Sequence, residues 1–474
     1  MIRSVTSLAG ILQALFITDA DDLARVTDLV KRRRTLTGSV FSQILVFGWL
    51  AHPRAGLEDL ADFAHAQGID VSFQAIDNRI NEQAVDFFQQ LLCSALEYGC
   101  QATADVLPLL QRFAGVFVFD TTDVALPKCL LAEFPSCNAA QAACGILTCL
   151  ELSQFGIIDL QVGPALDNDL AFDLAHTGLP EGALRLADLG FFNLELLESY
   201  TKEGVFYISR YKPNMNLTDM DGNNFNLVQY LRQQRQDVID TWIFAGAKKV
   251  KTRLVAVRVA ETAATKRREK YRDKKRLKGK ATSAAMLEMC GWDVSITNVP
   301  EDKLDWQEVV SLRRLRWQIE LLFKTWKSVG GLDHLAGRSR ERVLVELYAK
   351  LLGKVVESWH LLVLCGGPVQ WSWYKASKKM QQWWPELMKR MADAEALARW
   401  LDKTGKKLRK TVKKEQRKKR PSAWQTVLDK ADPRWADGSM FPSPPPPYPP
   451  WWFANRNPDE QTDTAFSCPN QPAA

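Results

Sequence analysis

Two aspartates close apolar, strand-forming runs in this 474-residue chain: Asp120 in VFVFDTTD and Asp188 in LRLADLGFF. A carboxylate where a buried strand gives out is held by a rigid sheet while loops open around it, which suits a ligand crevice. Aspartate is also an ordinary turn residue, so either one alone carries little weight. A third acid, Glu320, lies in RWQIELLFKTWKS, where Arg316, Glu320, Lys324 and Lys327 fall in helical register as one stripe. Leu315, Ile319, Leu322 and Trp326 form a second stripe, about 100° away, that is built for burial. Read alone, the charged stripe is equally a solvated face, with Glu320 paired to Arg316 and Lys324 for about 0.2–0.5 kcal/mol per pair. Taken together, three acids without a cysteine or imidazole partner suit hard cations such as Mg²⁺. Two such ions about 3.5–4 Å apart stabilise the entering and leaving oxygens of an in-line phosphoryl displacement. The cations around Glu320 then have a use, holding phosphates beside the acids.

Other chemistries fit less well. The five histidines show no metal-ligand spacing, and the nine cysteines form no CxxC pair. Cysteines in apolar contexts such as Cys93, Cys149 and Cys365 read as reduced core residues of a cytosolic protein. No run reaches the ~18 apolar residues of a membrane helix, and the apolar stretch 8–16 is interrupted by Gln13 and followed by Asp19, Asp21 and Asp22 in place of a cleavage site. With 46% hydrophobic and 25% charged residues, the chain is expected to bury a large core divided among two to four domains.

The charge is +7 overall but unevenly placed. Residues 248–280 hold fifteen Lys and Arg against three acids, and residues 402–420 hold eleven against two, so the rest of the chain is acidic on balance. Clustered cations of this kind are the footprint of a phosphate-backbone partner; a solubilising segment is the alternative, and it weighs more for the second block.

The elements that must position the acids follow from periodicity. Helical spacing over 20–30, 39–49, 57–65 and 84–97, punctuated at Pro53 and Gly68, predicts an N-terminal helical region (1–110) that either packs or faces DNA through residues 31–34 and 74–80. Apolar strand-like runs at 115–119, 144–152, 155–163, 183–187 and 205–209, with helical spacing at 169–175 and 192–200, predict a mixed α/β sheet with flanking helices over 111–211. A polar, β-leaning stretch (212–304, with strands at 241–245, 254–259 and 292–297) carries the first basic block and reads as an insertion. One helix is expected from near Asp305, where Asp305 and Glu308 suggest a capping box, to Gly330-Gly331, followed by helices over 342–363, so that 305–375 completes the core. Basic helices (376–437) precede a tail (438–474) in which seven of ten residues from 441 to 450 are proline, extended or disordered.

These motifs in this order resemble the DDE transposases of bacterial insertion sequences. The resemblance rests on the Asp120 context with Leu126-Pro127, the DLGFF at Asp188, the YISRYK containing Arg210, and RWQIELLFK. It points to the branch with a Tyr-x2-Arg-x3-Glu-x6-Lys signature: Arg316, Glu320 and Lys327 match, while the tyrosine position holds Arg313. An arginine there keeps affinity for phosphate and loses a flat packing surface. The resemblance, over about residues 70–360, implies a ribonuclease-H-like α/β fold interrupted by a mainly β insertion. It also implies that Asp120, Asp188 and Glu320 are catalytic ligands of two Mg²⁺ ions, for which Mn²⁺ can substitute. Arg313, Arg316 and Lys327 would then meet phosphates at the element end, with Lys324 and Arg210 along the DNA. Trp292, 28 residues before Glu320, would be the tryptophan that stacks on a base drawn out of the duplex; a core aromatic is the equal alternative.

The implied activity is metal-dependent cutting at transposon ends and transfer of the 3′ hydroxyl into target DNA, by a homodimer on paired terminal inverted repeats, in the bacterial cytoplasm at the nucleoid and without a membrane partner. Two rivals stay open: a nuclease on the same fold that joins nothing, and an inactive DNA-binding descendant, which Arg313 would suit.

Overall fold

A computed structural model describes residues 4–32, 35–99, 107–414 and 423–428. Six helices open the chain: α1 (Val5–Gln13), α2 (Ala20–Val26), α3 (Gly38–Ala51), α4 (Leu57–His65), α5 (Phe73–Asp77) and α6 (Glu82–Tyr98). Side-chain oxygens of Ser4, Thr37, Ser72 and Asn81 cap four of them, each accepting from a first-turn N–H. In the segment 74–80, Arg79 donates to the Leu29 carbonyl at 2.6 Å, so this cation ties the turn after α5 to the bend after α2.

The core strands are β1 (Val116–Leu126), β2 (Ala142–Glu151), β3 (Gly156–Pro164), β4 (Leu184–Ala187) and β5 (Phe206–Arg210), with α7 (Leu194–Lys202) before β5. The insertion adds β6 (Leu217–Thr218), α8 (Leu227–Gln233), β7 (Val238–Ala245), β8 (Val250–Arg258), α9 (Glu261–Leu277), α10 (Ala284–Met289) and β9 (Trp292–Thr297). All nine strands form one mixed sheet, ordered β3-β2-β1-β4-β5-β9-β8-β7-β6. The insertion thus extends the core sheet, because β9 returns to pair antiparallel with β5 over Ile208–Arg210. The mixed sheet with flanking helices is the α/β architecture expected; the helical character of 169–175 is reduced to two short 3₁₀ turns, Asp169–Ala171 and Asp173–His176.

Three expectations need correcting. The strand at 115–119 does not stop at Asp120 but runs on to Leu126, because β2 pairs with it throughout. The first basic block opens on strand, as β8 takes most of the expected 254–259 run, but its larger part is helix α9, which the β-leaning reading did not contain. The helix from Asp305 is two helices, α11 (Trp306–Leu315) and α12 (Trp317–Ser328), broken at Arg316. The Asp305/Glu308 capping box is present. Glu308 also receives both guanidinium nitrogens of Arg112 at 2.8 and 2.9 Å, which ties α11 to the segment entering β1.

Downstream lie α13 (Arg340–Cys365), α14 (Trp373–Met380), α15 (Trp384–Met388), α16 (Ala394–Val412) and α17 (Ala423–Leu428). One apolar cluster runs from Leu8 to Val427 and joins the N-terminal helices, the core sheet, α11 to α13 and the C-terminal helices; a separate cluster fills the insertion. Of the cysteines expected to be reduced, Cys149 and Cys365 are free and buried, whereas Cys93 is disulfide-bonded. Among the described residues no helix is long and apolar enough to cross a membrane. The proline-rich tail, Arg33 and Arg34, and the end of the second basic block lie outside the described residues.

Candidate active site

The register of two strands brings the aspartates together. β1 and β4 are parallel neighbours with Phe119 opposite Ala187. Asp120 follows Phe119 within β1 and Asp188 follows Ala187 just past the end of β4, so the two leave neighbouring strands whose backbones run about 4.8 Å apart. Asp188 leads into a 3₁₀ turn, Leu189–Phe191, whose Gly190 lies against the Asp169 carboxylate: a Cβ there would come within 1.9 Å of its oxygen, so that side chain would have to swing aside.

Helix α12 supplies the third acid. Its apolar stripe is buried as expected, with Ile319, Leu322 and Trp326 facing inward behind Leu315. The break between α11 and α12 places Arg316 at the joint. From there its Nη1 donates to Asp120 Oδ2 at 2.8 Å and its Nη2 to Glu320 Oε1 at 2.6 Å. Asp120 and Glu320 therefore share one guanidinium, and Asp188 acts on it through its charge without a bond to it. Burial works against the charge of Arg316, but the three acids more than offset it and hold its pKa above the usual value. The Asp120 carboxyl stands raised to about 6, chiefly by burial and further by Glu320 and Asp188, against the pull of Arg316 and the Thr121 N–H. Lys327 donates to the Asp123 backbone oxygen at 2.6 Å and fastens the end of α12 to β1.

The donor set suits a hard cation, and Asp188 Oδ1 is buried with no hydrogen-bond partner among the described residues. Even so, no group of three His, Cys, Asp or Glu among the described residues is close enough to hold a metal ion as it stands. The acids converge on Arg316, so a divalent ion would compete with that guanidinium for Asp120 and Glu320.

Beside this cluster opens a cleft of 1440 Å³, lined by ten Lys and Arg, among them Arg210, Arg314, Arg316 and Lys324, against only Asp293 and Glu357. Such an excess of cations fits a polyanion. Arg210 and Lys324 are exposed on its wall. Arg313 is placed differently from its expected role: it is largely buried and ion-paired with Asp293, the residue after Trp292. Burial would raise the Asp293 carboxyl, but Arg313, Arg267 and Arg210 hold it below the usual range. An acid on β9 thus answers the arginine that stands in the tyrosine position. Trp292 is 3% exposed, in the insertion core, with the Arg258 guanidinium 4.3 Å from its ring centroid; the core-aromatic alternative describes its place here.

Sequence reasoning missed several residues of the cleft. Trp317, beside Arg316, is 54% exposed, and Leu321 one turn on is also exposed. The only sequence signal was their position off the buried stripe. The C-terminal region forms one wall through Tyr374, Lys413 and Trp424. The Trp424 indole N–H donates to Gln318 Oε1 at 2.7 Å and its ring meets Phe155 edge-on. Nothing in residues 376–437 marks this contact beyond an isolated tryptophan.

Comparison with known proteins places this geometry in a family context. The model of the transposase DDE domain matches residues 112–353, a span that contains all three acids. The chain is 30% identical over 358 residues to the transposase for insertion sequence element IS231F of Bacillus thuringiensis subsp. israelensis, covering 70% of this chain and 75% of that protein. It is 27% identical to the IS231B transposase of Bacillus thuringiensis subsp. berliner, covering 70% and 74%. Against the transposase for insertion sequence element IS1151 of Clostridium perfringens it is 24% identical, covering 74% and 79%.

Proposed function

Because the chain belongs to the transposase DDE-domain family, we propose that this DNA transposase cuts at the ends of an insertion element and joins the freed 3′ hydroxyl to target DNA, with Asp120, Asp188 and Glu320 as the acids of the reaction. The observation that carries the assignment is the pairing of register and bridge: two aspartates that follow paired residues of adjacent parallel strands, with Glu320 joined to one of them through Arg316.

As a DDE transposase, the enzyme acts on DNA and depends on a divalent metal. Two Mg²⁺ ions, or Mn²⁺ in their place, held by Asp120, Asp188 and Glu320, would supply Lewis acidity at the scissile phosphate and a lowered pKa for the attacking water. The chain's own residues do the rest. Arg316 offsets the mutual repulsion of the acids, and it lines the cleft, where its guanidinium could also bind a phosphate. Arg210, Arg314 and Lys324 offer charge along the cleft wall, and Trp317 offers a flat exposed face. Lys327 keeps α12 in register with β1 and has donors left for phosphate.

The catalytic core (111–211 and 305–375) would be served by the N-terminal helices (1–110), the insertion (212–304) and the C-terminal helices (376–437) as end-binding and assembly surfaces. A homodimer on paired terminal inverted repeats would hold both ends at once. The test is strand transfer with labelled element ends, plasmid target and Mg²⁺. Asp120→Ala, Asp188→Ala and Glu320→Ala should each lower joining by on the order of 10³-fold while end binding persists. Cuts without joining in the wild type would favour the nuclease reading instead. Full activity in any of the three variants would sink the assignment of that acid.

A further inference from the structure

Helix α9 is an anomaly of packing. Of its seventeen residues only Ala264 is buried, and it carries eight Lys and Arg against three acids. Polar contacts hold it in place. The Arg267 guanidinium donates to the Trp292 carbonyl at 3.1 Å, Arg268 to the Leu287 carbonyl at 3.3 Å, and the Ser283 N–H to the Tyr271 hydroxyl at 3.3 Å.

Its cations divide into two sets. At 100° per residue, Lys266, Lys270, Lys274 and Arg267 share one sector about 100° wide, beside the packed side formed by Ala264 and Tyr271. Away from that sector Arg268 pairs with Glu261 at 2.5 Å, Arg276 with Asp273 at 3.2 Å, and Lys275 lies over the Tyr271 ring, while Arg272 stands exposed on that side without an ion pair among the described residues. Within it, Lys266, Lys270 and Lys274 are exposed and form no ion pair among the described residues. The sector is also continuous with the active site, because Arg267 lines the cleft together with Arg210 and Arg313.

We propose that α9 is a second contact for duplex DNA, in which Lys266, Lys270 and Lys274 grip the phosphate backbone of the flank as it leaves the cleft. Lysines four residues apart rise about 6 Å along the helix, close to two ~3.4 Å steps of one DNA strand. The stripe holds no Asn, Gln or Arg beyond Arg267 to read base edges in pairs, so the grip is independent of sequence. A membrane surface does not fit, since α9 has no apolar face to bury. This inference rests on the reading of the chain as a transposase.

The experiment measures binding of the full chain to a random-sequence duplex of about 40 base pairs across a salt series. Lys266→Ala/Lys270→Ala/Lys274→Ala keeps helix propensity and removes three cations. It should lower the slope of log K against log salt by about 2 to 3 and weaken binding roughly 10- to 100-fold near physiological salt. Arg272→Ala/Arg276→Ala, on the other side of the helix, should leave the slope within about 1 of wild type. An unchanged slope in the triple variant, an equal loss in the control pair, or an equal loss on a single-stranded oligonucleotide of the same length would each overturn the proposal. Cleavage of end-bearing duplex is scored on the same preparations. Intact cleavage with an unchanged slope overturns the arm alone; a stripe-dependent slope in a wild type that never cuts supports the arm and overturns the enzymatic reading.

Discussion

In α13, Glu346, Lys350, Lys354 and Glu357 are all buried and all answered, Glu346 by Lys350 at 2.8 Å and Glu357 by Lys354 at 3.0 Å. Lys350 also donates to the carbonyls of Gly331 and His334, and Glu346 accepts the Ala336 N–H. In α9 three lysines of one side, Lys266, Lys270 and Lys274, stand exposed without an ion pair among the described residues. Both helices would be drawn as charged from sequence, yet one uses charge to fasten loops to the interior and the other leaves it available. The difference teaches that the informative quantity is the number of unanswered charges on a face.

The contrast breaks hardest at Glu346. Glu346→Leu strands the Lys350 ammonium and the Ala336 N–H in the interior and should destabilise the fold by about 3–5 kcal/mol, whereas adding Lys350→Met should recover much of that. Urea unfolding of both variants decides it, and a double variant no better than the single would show that the pair is not the unit. Next comes His360 on the same helix, fully buried and held by burial at about 4, below its ordinary value near 6.5. The unfolded chain then binds the extra proton. His360 therefore costs nothing above about 6.5, and stability falls as pH drops through 6.5 towards 4, by about 3 kcal/mol at the limit. Melting curves at several pH values, with His360→Leu removing this part of the dependence, provide the check.

Arg316→Ala should cost about 2 kcal/mol in metal-free buffer, because Asp120, Asp188 and Glu320 lose their shared cation, and Mg²⁺ should restore part of it. A loss indifferent to Mg²⁺ would argue against the acids as its ligands. Smallest of all, the alanine triple on α9 should shift stability by no more than about 0.5 kcal/mol. A large loss there would erase the contrast with α13.

Much of the fold was legible because apolar runs and helical stripes report burial directly: the helix Leu57–His65 and the strand Trp292–Thr297 stand where periodicity puts them. The continuation of β1 past Asp120 was hidden because residues 120–123 are polar on both faces while the backbone goes on pairing with β2. The break at Arg316 was hidden because neither glycine nor proline marks it. Helix α9 was hidden because periodicity needs apolar residues to register, and α9 has almost none. At the site, three acids were recognisable by context, but the attachment of Asp120 and Glu320 to Arg316 and the answer of Asp293 to Arg313 join residues distant in the chain, and only the folded sheet brings them together.

The pairing of β9 with β5 has a practical consequence for protein engineering. Ser295, Ile296 and Thr297 belong at once to the ladder with β8 and to the ladder with β5. A chimera that exchanges this region between related enzymes must carry those three residues, with their partners on β5, as part of the graft. A cut made inside them would leave a bare strand edge next to Arg210, open to pairing with other chains.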